Sequence, residues 1–141
     1  MQELLQKAIS IAYNSHKNQY NVNGEPYILH PMRIMLKTKN EEQMITAVLH
    51  DVVEKSDVEL DHLEIEGFNK DIVEAVNALS RKNDELYDSY ISRVLKNKLA
   101  IKIKVMDLMD NIKIHKSIDI KENGSIKLIQ YENALSRIKA K

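Results

Sequence analysis

With 141 residues, 21 Lys and Arg balanced by 21 Asp and Glu, and no cysteine, the chain suits one domain, residues 1–141, with a substantial core and no global field to draw it to nucleic acid or an anionic membrane. The absence of cysteine excludes disulfides, zinc–thiolate sites and thiol nucleophiles, leaving His, Asp and Glu as ligands and favouring hard or borderline ions such as Mn²⁺ or Mg²⁺. The first residues lack a signal peptide's basic-then-apolar order, and no apolar stretch nears the roughly 20 residues of a spanning helix, so a cytoplasmic, soluble protein is expected.

Only 3 Gly and 2 Pro interrupt apolar residues that recur at three- and four-residue steps, a pattern that reads as all-α. Leu4, Leu5, Ala8, Ile9 and Ala12 start the first helix, which fades near Asn18. The segment Asn21-Val22-Asn23-Gly24-Glu25-Pro26 is a loop. A second helix begins between Tyr27 and Pro31, and Asn40 caps a third, with Glu41 and Glu42 in its positive first turn. That third helix ends close to His50-Asp51-Val52-Val53-Glu54. A short helix around Leu60 to Glu66 stops at Gly67, and amphipathic helices follow over Asn69–Leu79 and Asp84–Asn97. The last elements are expected over 98–115 and 125–139.

His50-Asp51 closes the apolar run Met44-Ile45-Thr46-Ala47-Val48-Leu49, where packing alone would prefer hydrocarbon. A buried carboxylate is costly unless paired, hydrogen-bonded or bound to a cation, and a neutral imidazole beside it suits coordination. Farther along, Asp107 lies between Val105-Met106 and Leu108-Met109, on one helix face with Ile103, Asp110, Asn111 and Ile114. Pairing with Lys104 would also satisfy it. A separate His30-Pro31 completes the set of groups that packing does not explain.

The chain resembles the HD-domain metal-dependent phosphohydrolases, and among them the small single-domain relatives of the Rel/SpoT-type guanosine tetraphosphate (ppGpp) hydrolases. The resemblance runs from about Ala8 to Ile114 through four ordered blocks: Ala12-x-x-x-His16-x-x-Gln19; Gly24-Glu25-Pro26-Tyr27-Ile28-Leu29-His30-Pro31; Ala47-Val48-Leu49-His50-Asp51-Val52-Val53-Glu54; and Lys104-Val105-Met106-Asp107-Leu108-Met109-Asp110-Asn111. Tyr87-x-x-Tyr90-Ile91-x-Arg93 resembles the stand-alone members, and the chain has no room for a synthetase domain.

The resemblance implies an all-α HD-domain bundle of about seven or eight helices. It also implies one divalent cation, Mn²⁺ in those hydrolases, held by His30, His50, Asp51 and Asp107. The implied chemistry is attack of metal-activated water on a 3′-pyrophosphate. Glu54, with Asp51, would serve that water, and Asn111 would hydrogen-bond the nucleotide or a metal ligand; Tyr27 reads as a ring that could stack on a base or bond a phosphate. Two departures stand out: Lys55 occupies the position of a usual carboxylate, and Asn21 with Val22 that of a phosphate-holding arginine. Lys17, Lys55 and Lys104 are candidates to replace that charge, with solvated surface lysine as the alternative reading of each. Asp110 replaces a usual histidine, a change expected to alter the substrate's surroundings.

The expected partner is therefore a small-molecule nucleotide, with neither nucleic acid nor membrane, and a homodimer is left open. Two alternatives to the alarmone hydrolase are a phosphomonoesterase for another nucleotide and a catalytically weak module that binds nucleotide or protein. His16 reads as packing or a support for the ligands, and His62 and His115 read as surface residues.

Overall fold

The computed structural model describes residues 2–118 and 122–140. It is all-α, as the periodicity requires. The helices are α1 (Gln2–Ser15), α2 (Leu29–Leu36), α3 (Glu41–Leu49), the single turn α4 (Val52–Lys55), α5 (Leu60–Ile65), α6 (Lys70–Ala78), α7 (Tyr87–Val94), α8 (Lys98–Ser117) and α9 (Glu122–Lys139). No described helix is long and apolar enough to cross a membrane.

Local chemistry sets most boundaries. The side chains of Asn40, Asn69 and Asn97 each accept a backbone N–H three residues on, at 2.9 Å, which opens α3, α6 and α8. Each such cap stabilises by roughly 0.5–2 kcal/mol. Gly67 takes φ +103° directly after α5, a left-handed conformation that glycine adopts without strain. The start of α7 falls at Tyr87, three residues later than expected, because Asp84 sits at φ +65° and a helix cannot pass through that conformation. Instead Glu85 folds back, accepting the Lys82 N–H at 3.0 Å and gripping Arg93.

Helices α2 and α3 pack together, α1 lies on α3, and α8 runs along α9 while also touching α2, α3, α6 and α7. Ile34, Leu49, Leu63, Leu79, Ile91, Ile103 and Leu108 are fully enclosed between them, each burial contributing roughly 1.5–3 kcal/mol. The buried face of α8 carries Ala100, Ile103, Lys104, Asp107, Leu108, Asp110, Ile114 and His115. Three charged side chains share that face with the hydrocarbon, opposite His30 of α2 and the α3–α4 junction.

Candidate metal centre and cavity

One atom each from His30, His50, Asp51 and Asp107 lies within 4.8 Å of the others, and all four residues are buried. His30 comes from the first turn of α2, Asp107 from the middle of α8, and His50-Asp51 from the joint between α3 and α4. The sequence-derived ligand set therefore converges. His30 Nε2 is 2.8 Å from Asp107 Oδ1, and His50 Nε2 is 3.1 Å from Asp51 Oδ2 and 3.3 Å from Asp107 Oδ1.

The far side of each imidazole is also engaged. His50 Nδ1 lies 2.6 Å from the Ala47 carbonyl, which can only accept, so Nδ1 carries the proton. His30 Nδ1 lies 2.6 Å from Asp110 Oδ2, and the same carboxylate takes two hydrogen bonds from Arg33, Nε to Oδ1 at 2.9 Å and Nη2 to Oδ2 at 3.0 Å. Both Nε2 atoms thus face the carboxylates. Imidazoles held in this way, together with two carboxylates and no sulfur, suit one hard or borderline divalent cation.

Charge balance leads to the same conclusion. Burial opposes ionisation of Asp107, but Lys104 and the two histidines outweigh it and hold its pKa well below the usual range. Burial likewise opposes charge on His50, and Asp51 and Asp107 outweigh it, raising its pKa well above normal. Asp51 is lowered by His50 against its own burial. The carboxylates of Asp51 and Asp107 thus draw positive charge to the space between them, supplied by the imidazoles and by Lys104.

Asp51 and Asp107 help to line a cavity of about 620 Å³, with His30 and His50 buried beside them. Glu54 is solvent-accessible at its wall, with Oε1 accepting the Arg81 backbone N–H at 2.9 Å. Burial and the nearby Asp51 raise its pKa. Tyr27 donates its hydroxyl to Asp51 Oδ2, and Lys55 Nζ lies 5.2 Å from the centre of the Tyr27 ring. Asn111 also lines the cavity and donates to Asp107 Oδ1 at 3.1 Å, so its amide steadies that carboxylate directly.

Of the lysines considered as replacements for the missing arginine, Lys55 and Lys104 both line the cavity, Lys55 as an exposed side chain. Lys104 is buried, and its Nζ is given to Asp107 Oδ2 at 2.8 Å and to the Tyr90 hydroxyl at 2.9 Å. Lys17 lies over the Tyr13 ring and lines a different hollow. Arg81 and Lys127, not anticipated from the sequence, join Lys55 in the wall.

His115 is corrected from surface to interior: it is 4% exposed, its Nδ1 reaches the Asn111 carbonyl at 2.9 Å, and its ring meets Tyr131 edge-on. The α8–α9 contact covers it, and no local pattern announces that contact. His62 is exposed, and its Nδ1 accepts the Glu59 N–H at 2.9 Å as a helix cap. His16 is buried, pairs through Nδ1 with Gln19 Oε1 at 2.9 Å and packs on Tyr27. Asp110 is also corrected: it turns to the back of His30 and is not among the residues lining the cavity, since Arg33 and His30 satisfy it behind the ligands.

The frame is the helical HD fold. It superposes with a TM-score of 0.77 on a structure described as a metazoan ortholog of SpoT that hydrolyzes ppGpp and plays a role in starvation responses, covering 96% of this chain and 84% of that one at 17% identity. Among curated proteins, the chain is 28% identical over 123 residues to the guanosine-3′,5′-bis(diphosphate) 3′-pyrophosphohydrolase of Aquifex aeolicus, covering 79% of this chain and 18% of that protein. It is 37% identical over 87 residues to the probable enzyme of the same name from Synechocystis, covering 57% of this chain and 11% of that protein. The resemblance read from the motifs is thus borne out, while the chain spans less than a fifth of the length of these relatives. No protein-family model matches.

Proposed function

We propose that this chain is a metal-dependent phosphohydrolase of nucleotide phosphates, with Mn²⁺ as its ion and removal of a 3′-pyrophosphate from guanosine tetra- or pentaphosphate as its reaction. The observation that carries the reading is the convergence of His30, His50, Asp51 and Asp107, the two carboxylates lining a cavity whose wall also bears Glu54, Lys55 and Arg81. A divalent cation held there supplies Lewis acidity, offsetting charge on phosphoryl oxygens and making water easier to deprotonate.

The remaining roles belong to side chains. Glu54 keeps one oxygen on the Arg81 N–H and offers the other as the base that takes a proton from the attacking water. Lys55 and Arg81 hold the anionic groups of the nucleotide. Tyr27 fixes Asp51 through its hydroxyl, and Asn111 fixes Asp107. The aromatic rings of Tyr87 and Tyr131 in the same wall provide surfaces on which a base can stack. Names borne by relatives support the substrate class.

The test incubates metal-stripped protein, with and without added Mn²⁺, with a panel of 3′- and 5′-phosphorylated nucleotides and resolves the products. Mn²⁺-dependent release of pyrophosphate from ppGpp, lost in Asp51→Ala and Asp107→Ala, is expected. Release of phosphate alone would instead identify a phosphomonoesterase, and tight nucleotide binding without turnover would identify a binding module. Turnover unaffected by both substitutions would refute the metal mechanism.

A further inference from the structure

Behind the ligand cluster, Asp110 is 3% exposed and spends its carboxylate on two partners, His30 Nδ1 at 2.6 Å and the fork of Arg33 at 2.9 and 3.0 Å. Arg33 continues outward to Glu25 Oε1 at 3.2 Å, in the loop that also places Asn21 and Val22 on the cavity wall. A buried carboxylate without compensation would be costly, and the bidentate guanidinium supplies that compensation. We infer that Asp110 is a positioning residue that sets the metal affinity of the centre through His30, and that Arg33 is the counter-charge moderating its effect.

Two constraints lead there. A carboxylate on Nδ1 fixes the tautomer whose Nε2 lone pair faces Asp107 and Asp51, and it makes the imidazole a stronger donor. A guanidinium on the same carboxylate withdraws part of that negative charge. The two residues therefore act on His30 in opposite senses, although they form one hydrogen-bonded unit. A purely structural pair would give variants that fail in the same direction.

The inference rests on the metal reading above but not on the substrate. The test measures Mn²⁺ binding to the whole chain by calorimetry and by the loss of the free-ion electron paramagnetic signal, with thermal melts reporting folding. Asp110→Asn, which keeps an acceptor for Nδ1 but loses the charge, is expected to weaken Mn²⁺ binding about ten- to a hundredfold. Arg33→Met is expected to bind Mn²⁺ at least as tightly as the parent while melting at a lower temperature. Equal weakening by both, or Asp110→Asn within twofold of the parent, overturns the proposal.

Should Asp110→Asn not fold, ¹⁵N-histidine spectra of the parent protein with Mg²⁺ decide the matter. A His30 protonated at Nδ1 is expected, and one protonated at Nε2 refutes the role. A parent protein that takes up neither ion overturns the metal reading itself, whereas normal uptake with an unaffected Asp110→Asn overturns this inference alone.

Discussion

Lys104 and Asp107 divide one carboxylate between two tasks. Lys104 Nζ holds Oδ2 at 2.8 Å, while Oδ1 faces His30 Nε2 at 2.8 Å and His50 Nε2 at 3.3 Å. The ammonium is buried, and Asp107 raises its pKa well above normal against the cost of burial. Lys104 is thus an internal cation that keeps one ligand oxygen from swinging into the cluster.

Lys104→Met should expose that division. Removing one partner of a buried pair leaves an uncompensated charge, with a cost of about 3 kcal/mol. Metal-stripped Lys104→Met is expected to unfold at a correspondingly lower urea concentration, and saturating Mn²⁺ should narrow the gap, because the ion stabilises both native states by mass action and in the variant also compensates the Asp107 charge that Lys104 had paired. Urea titrations with and without Mn²⁺ measure both effects. A variant as stable as the parent without metal would contradict the assignment of Lys104.

Glu54→Gln separates ligation from proton transfer. Glu54 is outside the converging set of ligands, so the variant should bind Mn²⁺ within about twofold of the parent. Turnover should fall by about a hundredfold or more, the usual scale of a lost general base. Steady-state kinetics beside a Mn²⁺ titration checks the pair of outcomes.

Lys55 lies over the Tyr27 ring and faces the cavity. Lys55→Met should raise KM for a 3′,5′-phosphorylated nucleotide about tenfold, with a smaller effect on kcat, as expected when a phosphate contact is lost. Lys55→Asp restores an acid beside Glu54. A higher kcat on ppGpp in that variant would mean that the lysine detunes alarmone hydrolysis, and a further rise in KM without a gain in kcat would mean that it serves binding.

Far from the ligands, Glu85 grips Arg93 through both oxygens, at 2.7 and 2.8 Å. The Arg93 guanidinium beside it lowers the Glu85 pKa to about 2. Because the folded value lies below that of the unfolded chain, about 4.3, its contribution is fully present at neutral pH and is lost as pH falls from about 4.3 through 2. The difference in melting temperature between the parent and Glu85→Gln should therefore be largest at neutral pH and shrink across that window. A constant difference would show that the charge of Glu85 does not act through folding.

The converging cluster was legible because each polar group interrupts hydrocarbon: His50-Asp51 ends a buried run, and Asp107 sits between Met106 and Leu108. Asp110 was visible on the same helix face, but its direction was not, because its partners His30 and Arg33 lie on α2, 80 and 77 residues away. His115 was misplaced for the same reason, since Tyr131 of α9 covers it. Arg81 had no signal at all. It reaches the site by a main-chain bond to Glu54 and by lying over Tyr87, contacts that depend on where the chain turns after α6.

The break between α3 and α4 carries a last implication. Ala47 offers its carbonyl to the His50 ring, and the main chain there receives only the His50 N–H at 3.4 Å. One imidazole is therefore aimed by a backbone group that no side-chain replacement at Ala47 can delete, while the other depends on Asp110, which a single codon change can remove. Mutational drift in this chain can retune the centre readily through His30, whereas His50 is insulated from everything short of reshaping the helix.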